Sequence, residues 1–432
     1  MLQNLLTNNT YSLYIHIPFC SSKCDYCDFY SIPMNIDSTN DKETINACLN
    51  AIILDIQKQI EYFDVNYIPT IYIGGGSPSI LSLKQIASFL YDLLKILPSR
   101  PIEWTIEINP ESATKDFLEI CKNYGVNRIS AGIQTFSKQS RDAVHRNGTI
   151  ENIYKNIECI SKIYGRNFSL DVITGLPFST KEQIKSDLKI ILDFEPEHIS
   201  LYDLTIEEDT TLFFNILKNK SLLPKKEYAE MLWILGRDIL ISKGYFQYEV
   251  SNFAFDKNNV YNKLKNLNYS SLIKDKKAQK NGFCLHNMRY WFMENWLGAG
   301  PSAGGAALFS RTNTSTENNN YGMIYNCVDN VFSYIKHVTN NTFPQYCVTE
   351  NISKKNLIKE TIFMGFRTSF GPDAELFQKR FSCSLQDIIP NTINKWREKK
   401  LFYTEKTALT PQGLLFLNGF IRNAFEEIAN LE

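Results

Sequence analysis

Hydrophobic residues along the first half of the chain fall into two alternating patterns. Six short runs rich in β-branched and aromatic residues read as strands: Tyr14-Ile-His-Ile17, Thr70-Ile-Tyr-Ile73, Trp104-Thr-Ile-Glu-Ile108, Arg128-Ile-Ser-Ala-Gly-Ile133, Leu170-Asp-Val-Ile173 and His198-Ile-Ser-Leu-Tyr202. Between them, apolar positions recur at about 3.6-residue spacing over 43–62, 83–97, 113–124, 150–164 and 181–193, which predicts helices. Strand–helix alternation repeated about six times predicts a parallel sheet with helical crossovers. The pattern fits either an open doubly wound sheet or a barrel-like closure. In both, ligands sit beyond the C-terminal strand ends.

The alternation stops near residue 250. Residues 255–283 are rich in Asn and Lys and read as an exposed insertion or mobile loop, with room for a short helix, and the polar stretch 311–320 reads as another loop. From about 350 the pattern is helical again, with Leu409-Thr-Pro-Gln-Gly413 opening the last helix. The expected division is a barrel over 1–250, a barrel-capping segment over 251–345 and a small helical domain over 346–432.

Charge narrows the function classes. The 432 residues carry 46 Lys+Arg against 46 Asp+Glu, a formal net charge of zero, which argues against nucleic-acid binding through bulk charge. No apolar run reaches the ~18–20 residues of a membrane span. The N-terminal residues lack the basic and apolar regions of a secretory signal. The expectation is a cytoplasmic protein with no stable membrane span and no nucleic-acid partner.

Seven of the ten cysteines are scattered singly, as reduced thiols in a large chain would be. The other three form Cys20-Ser-Ser-Lys-Cys24-Asp-Tyr-Cys27, directly after the first strand. A structural zinc site normally closes with a fourth Cys or His, and position 29 is Phe. A [4Fe–4S] cluster held by three thiolates instead of four leaves one iron open to a small chelating molecule. S-adenosylmethionine (SAM), with its amino and carboxylate groups, is such a molecule. A zinc scaffold and three unconnected thiols stay open on spacing alone.

Around this loop the chain resembles the radical SAM superfamily and, within it, the oxygen-independent coproporphyrinogen III oxidases and the related radical SAM heme chaperones. The strings that carry the resemblance are YIHIPFCSSKCDYCDFYS (14–31), IYIGGGSPS (71–79), TIEINPES (105–112), NRISAGIQTF (127–136), LDVITGLP (170–177), HISLYDLTIEEDT (198–210), HNMRYW (286–291) and ETIFMGFRTSFG (360–371). The resemblance implies an α/β fold: a partial (β/α)6 TIM-type barrel with a smaller helical C-terminal domain. It implies Cys20, Cys24 and Cys27 as ligands of a [4Fe–4S] cluster. Tyr14 and Glu107 are implied as SAM contacts near the cluster, Glu107 by accepting the amino group. Tyr26, Gly75, Gly76, Ser77, Gln134, Arg146 and Asp171 match positions that serve SAM in the oxidases.

Phe29 stands where the oxidases carry a further cysteine, which places the chain on the chaperone side. His286, in an H-N-x-x-Y-W string, is implied as a heme contact, since imidazole is a common axial ligand of heme iron. The implied partners are heme, a recipient hemoprotein and an electron donor. Ser77 (usually Thr), Asn147-Gly148 (often near a His) and Gly304 (commonly His) depart from the pattern. An oxidase of coproporphyrinogen III and a radical SAM enzyme with another substrate remain the alternatives. Whether SAM is cleaved is left open.

Overall fold

The computed structural model describes residues 9–219, 222–256, 282–308 and 320–430. Most of the 255–283 insertion and of the 311–320 stretch lies outside them.

The six expected strands all form: β1 (Ser12–Ile17), β2 (Thr70–Gly75), β3 (Glu103–Ile108), β4 (Arg128–Gln134), β5 (Phe168–Thr174) and β6 (His198–Asp203). They pair in parallel in that order, β1 to β6. Period-two alternation sends Leu13, Ile15 and Ile17 into the layer under the helices, where they are fully buried. Tyr14 and His16 point the other way, into the barrel, as do Glu107, Ser130, Asp171 and Ser200 on their strands. The crossovers are α1 (Thr39–Tyr62), α2 (Leu83–Ile96), α3 (Lys115–Tyr124), α4 (Ile150–Tyr164) and α5 (Lys181–Asp193). Ser38, Ser82, Thr114, Thr149 and Thr180 cap their N-termini by accepting a backbone N–H one turn in.

Beyond β6 come α6 (Thr211–Lys218) and α7 (Lys226–Ser242), and then the chain returns to the sheet at both edges. On the β6 side it adds β7 (Tyr245–Gln247) and β8 (Asn252–Phe255), both antiparallel. On the other side β9 (Trp296–Ala299) lies parallel to β1, with Ser12 opposite Trp296 and Ile15 opposite Ala299. Then β10 (Gly304–Leu308), β11 (Asn320–Cys327) and β12 (Cys347–Ser353) follow antiparallel, completing a twelve-stranded sheet.

The described strands within 251–345 continue the barrel's sheet. Position 346 falls just before a strand, and the C-terminal helices begin with the helix Lys354–Gly365. The core of this last region (Phe366, Phe377, Trp396 and Phe420) is shared with Ala306, Leu308, Tyr321 and Ile352 of the sheet extension. The Pro411 helix also stops after one turn, at Leu414, and the final helix is Leu417–Ala429.

A short helix, α8 (Leu285–Trp291), closes the N-terminal mouth of the barrel. Its first backbone N–H groups, at Leu285 and His286, each donate a 2.9 Å hydrogen bond to the Glu103 carboxylate at the start of β3. Arg289 pairs with Glu294 and donates to Ser12 at the start of β1. Among the described residues no helix is long and apolar enough to cross a membrane.

Candidate functional site

At the opposite end, where β1 to β6 finish, lies a cavity of about 340 Å³. Cys20, Cys24 and Cys27 line it, held on a loop fixed from three sides. At the loop's base, Phe19–Cys20 pairs in parallel with Ile32–Pro33. The glycine turn after β2 grips the same segment: Gly76 N–H donates to the Ile17 carbonyl (2.8 Å) and Ser77 N–H to that of Phe19 (2.7 Å). On the far side, Asp25 N–H donates to Val144 (3.1 Å) and Leu212 N–H to the Asp25 carbonyl (2.8 Å).

Burial pushes the Cys20 thiol up to about 11 and raises that of Cys27 as well. These sulfurs are therefore protonated in the metal-free chain, and binding a metal centre releases their protons. Arg146 brings a guanidinium to 3.5 Å from Cys24 Sγ. The same side chain donates to the Gly132 carbonyl (2.6 Å) and to Asn109. Among the described residues no group of three or more His, Cys, Asp or Glu is arranged to hold a single metal ion.

The remaining wall comes from strand ends. Glu107 and Asp171 reach the cavity from β3 and β5, and Gln134 from β4. Glu107 is pushed up to about 7 by burial, against the Tyr72 hydroxyl that donates to it. Asp171 is also raised by burial, while Ser130 (3.2 Å) and Ser169 (3.1 Å) donate to it. Gln134 sits at a register shift between β4 and β5 with a φ of 67°, and its buried Oε1 has no hydrogen-bond partner. A buried acceptor left open on a cavity wall is costly unless a ligand supplies the donor.

Glycine shapes the floor. A Cβ on Gly74 would stand 2.7 Å from the Glu107 carboxylate, and one on Gly76 would stand 2.6 Å from the Phe19 carbonyl oxygen. Bare backbone there keeps both the carboxylate and the cysteine loop in place. Three thiols on a fixed loop, a glycine floor, two carboxylates and an open amide oxygen fit a cluster with a chelating, amine-bearing ligand such as SAM.

Most residues expected here are brought together: the three cysteines, Tyr26, Gly75, Gly76, Ser77, Glu107, Gln134, Arg146 and Asp171 all line the cavity. Tyr14 does not. It lies opposite Tyr72 in the sheet, a pleat below the cavity level, and its hydroxyl is bonded to His16 Nδ1 at 3.0 Å.

His286 stands apart from the cavity. It lies in α8 at the other end of the barrel, 1% exposed. Nδ1 is engaged by Thr70 (3.0 Å) and Nε2 by Tyr290 (2.9 Å), and burial takes the imidazole down to about 3. As folded, it presents no nitrogen to a ligand. The HNxxYW string instead builds the plug under the barrel.

The sequence reading missed Asn109, Ser130, Tyr202 and Thr205, which also line the cavity. Their signal was position: each stands on or just beyond a strand already expected.

Residues 14–191 match the radical SAM superfamily, and residues 352–416 match the HemN C-terminal domain. The heme chaperone HemW of Lactococcus lactis is 30% identical over 398 residues, covering 91% of each chain. That of Bacillus subtilis is 29% identical over 412 residues, covering 94% of this chain and 97% of its own. The solved structure of the Escherichia coli coproporphyrinogen III oxidase HemN superposes with a TM-score of 0.76 at 19% identity, covering 98% of this chain and 92% of that one. At that identity the likeness shows the fold alone. By its similarity along nearly the whole length of both chains to the Lactococcus protein, this chain belongs to the HemW family within the radical SAM superfamily.

Proposed function

We propose that this protein is a heme chaperone: it binds heme and delivers it to a recipient hemoprotein, and it carries a [4Fe–4S] cluster and SAM. The observation that carries the reading is the near-full-length similarity to proteins named heme chaperone HemW. Phe29 supports it. The side chain is 61% exposed on the cysteine loop, at the place where the oxidases have a further cysteine.

Cys20, Cys24 and Cys27 hold the cluster in this reading. Glu107 accepts the SAM amino group, Gln134 and Asp171 take its ribose hydroxyls, and Gly75, Gly76 and Ser77 form the floor. When bound and reduced, the cluster would supply one electron to the sulfonium of SAM, the chemistry that breaks its C–S bond. The chain's own part is to fix the loop, exclude water from the strand ends and keep Arg146 beside Cys24.

The test has two arms. Hemin-loaded, cluster-reconstituted protein is mixed with an apo-hemoprotein, and heme movement is followed by absorbance. Transfer faster than from free hemin supports the proposal. In parallel, protein with SAM, a strong reductant and coproporphyrinogen III is assayed anaerobically for protoporphyrinogen and 5′-deoxyadenosine. Many turnovers of protoporphyrinogen would make it an oxidase instead. Cys24→Ala is expected to lose the broad cluster absorbance.

A further inference from the structure

The five histidines of this chain divide sharply by environment. His16 and His198 are buried in the barrel with both ring nitrogens engaged, as His286 is. His337 lies in the last turn of a helix over Val331–Asn340, packed on α1 away from the cavity. His145 differs from all of these: its side chain is 73% exposed, yet it is held in one orientation.

That orientation comes from Asp25. His145 Nδ1 stands 2.8 Å from Asp25 Oδ2, and Asp25 is itself 7% exposed. The carboxylate also accepts from Asn215 Nδ2 (3.2 Å) on α6. The backbone of Asp25 is pinned on both sides, to Val144 and to Leu212. The imidazole backbone has a φ of 50°, a left-handed conformation that turns it away from the preceding helix (Lys138–Ala143). With Nδ1–H donated to a buried carboxylate, the Nε2 lone pair faces solvent. Carboxylate-oriented imidazole with the other nitrogen free is the arrangement of metal-ligating histidines.

The elements that hold Asp25 also carry exposed apolar side chains and a cation. The helix that brings Asn215 to Asp25 leaves Phe214 52% and Leu217 59% exposed. Phe29 is exposed on the same loop as Asp25. Lys23, also on that loop, lines the cavity and offers a cation for a carboxylate.

We propose that His145 Nε2, oriented by Asp25, is the axial ligand of heme iron in this protein, at the rim of the cluster cavity. The bond formed is Nε2–Fe, and the water or hydroxide on the iron leaves; no electron is transferred. The inference rests on the heme-binding reading above.

The test is hemin titration of the full, cluster-loaded chain, read as difference spectra against heme-free protein and by electron paramagnetic resonance of the ferric iron. His145→Ala is expected to lose the imidazole-ligated spectrum and to weaken binding about tenfold or more. His286→Ala is expected to keep both. In His145→Gly, added imidazole is expected to restore the wild-type spectrum, and unchanged cluster content shows that the loop is intact. A wild-type spectrum and affinity in His145→Ala would overturn the assignment. So would loss of ligation in His286→Ala with His145→Ala unaffected. If wild-type protein itself shows no ligated heme, the chaperone reading has failed, and this site with it.

Discussion

Tyr72 and Glu107 meet inside the barrel, the hydroxyl donating a 2.7 Å hydrogen bond to Oε1 from the neighbouring strand. The bond favours the carboxylate, while burial opposes it more strongly and leaves Glu107 titrating at about 7. If Glu107 accepts the SAM amino group, SAM affinity rises as pH passes about 7 and the carboxylate forms. Tyr72→Phe removes a donor that favours ionisation, so the midpoint moves to higher pH. Equilibrium binding of SAM to cluster-loaded protein against pH reads both shifts. A flat profile in both proteins would take Glu107 out of the SAM site.

The same burial sets how the metal-free chain responds to pH. Glu107 and Glu249 rise from 4.5 to about 7 and about 8. A raised carboxyl contributes stability that is present below its unfolded value and is lost as pH climbs through the folded one. His286 works the other way, since it falls from 6.5 to about 3 and costs stability as pH drops below 6.5. Above pH 6.5 the His286 contribution is constant while both carboxyls still lose stability, so thermal stability is expected to fall between pH 6.5 and pH 8. Differential scanning calorimetry across this range is the measurement, and a melting temperature still rising at pH 8 would contradict it.

Gly76 has backbone where a side chain would go. A Cβ there would stand 2.6 Å from the Phe19 carbonyl oxygen, on the segment that leads into Cys20. Gly76→Ala has to push the loop away and break the Ser77–Phe19 hydrogen bond. The expected result is a folded chain that incorporates well under half the iron and sulfide of wild type after reconstitution. Full cluster loading would show that the turn does not set the loop.

Asp55 is buried in α1 and accepts from Tyr334 (2.6 Å), Tyr346 (2.6 Å), Gln59 (2.7 Å) and the Cys327 thiol (3.8 Å). Gln59 also reaches the Gly298 carbonyl on β9 (2.9 Å). Asp55→Ala strands these groups in the interior and is expected to cost about 3 kcal/mol. Urea unfolding measures it, and a loss under about 1 kcal/mol would show that the cluster relaxes onto other partners.

The six barrel strands and their helices were readable because each carries its own signal: β-branched runs with Gly, Pro or Asn at the ends, and 3.6-residue spacing between them. The cysteine loop was readable because its three ligands lie within eight residues. β9 was not. Trp296-Leu-Gly-Ala299 is four residues long and half small, and what makes it a strand is its pairing with β1 far back in the sequence. The place of His286 was not readable for a related reason, since a motif string carries no record of which end of the barrel it occupies. Asp55 had a local signal that went unread. With Gln59 it forms an i, i+4 polar pair on the face of α1 that buries Ile45, Leu49, Ile52 and Ile56, and polar residues on such a face need partners.

The pairing of β1 with β9 also orders events during synthesis. β1 carries the cysteine loop at its end, and one of its two edges is covered by β2, the other by Trp296–Ala299. At translation speeds of roughly 5–20 residues per second, the first strand waits on the order of tens of seconds for that second neighbour. During that interval an open strand edge beside three unligated thiols is exposed. The nascent chain thus keeps one edge of its first strand open until its last third emerges.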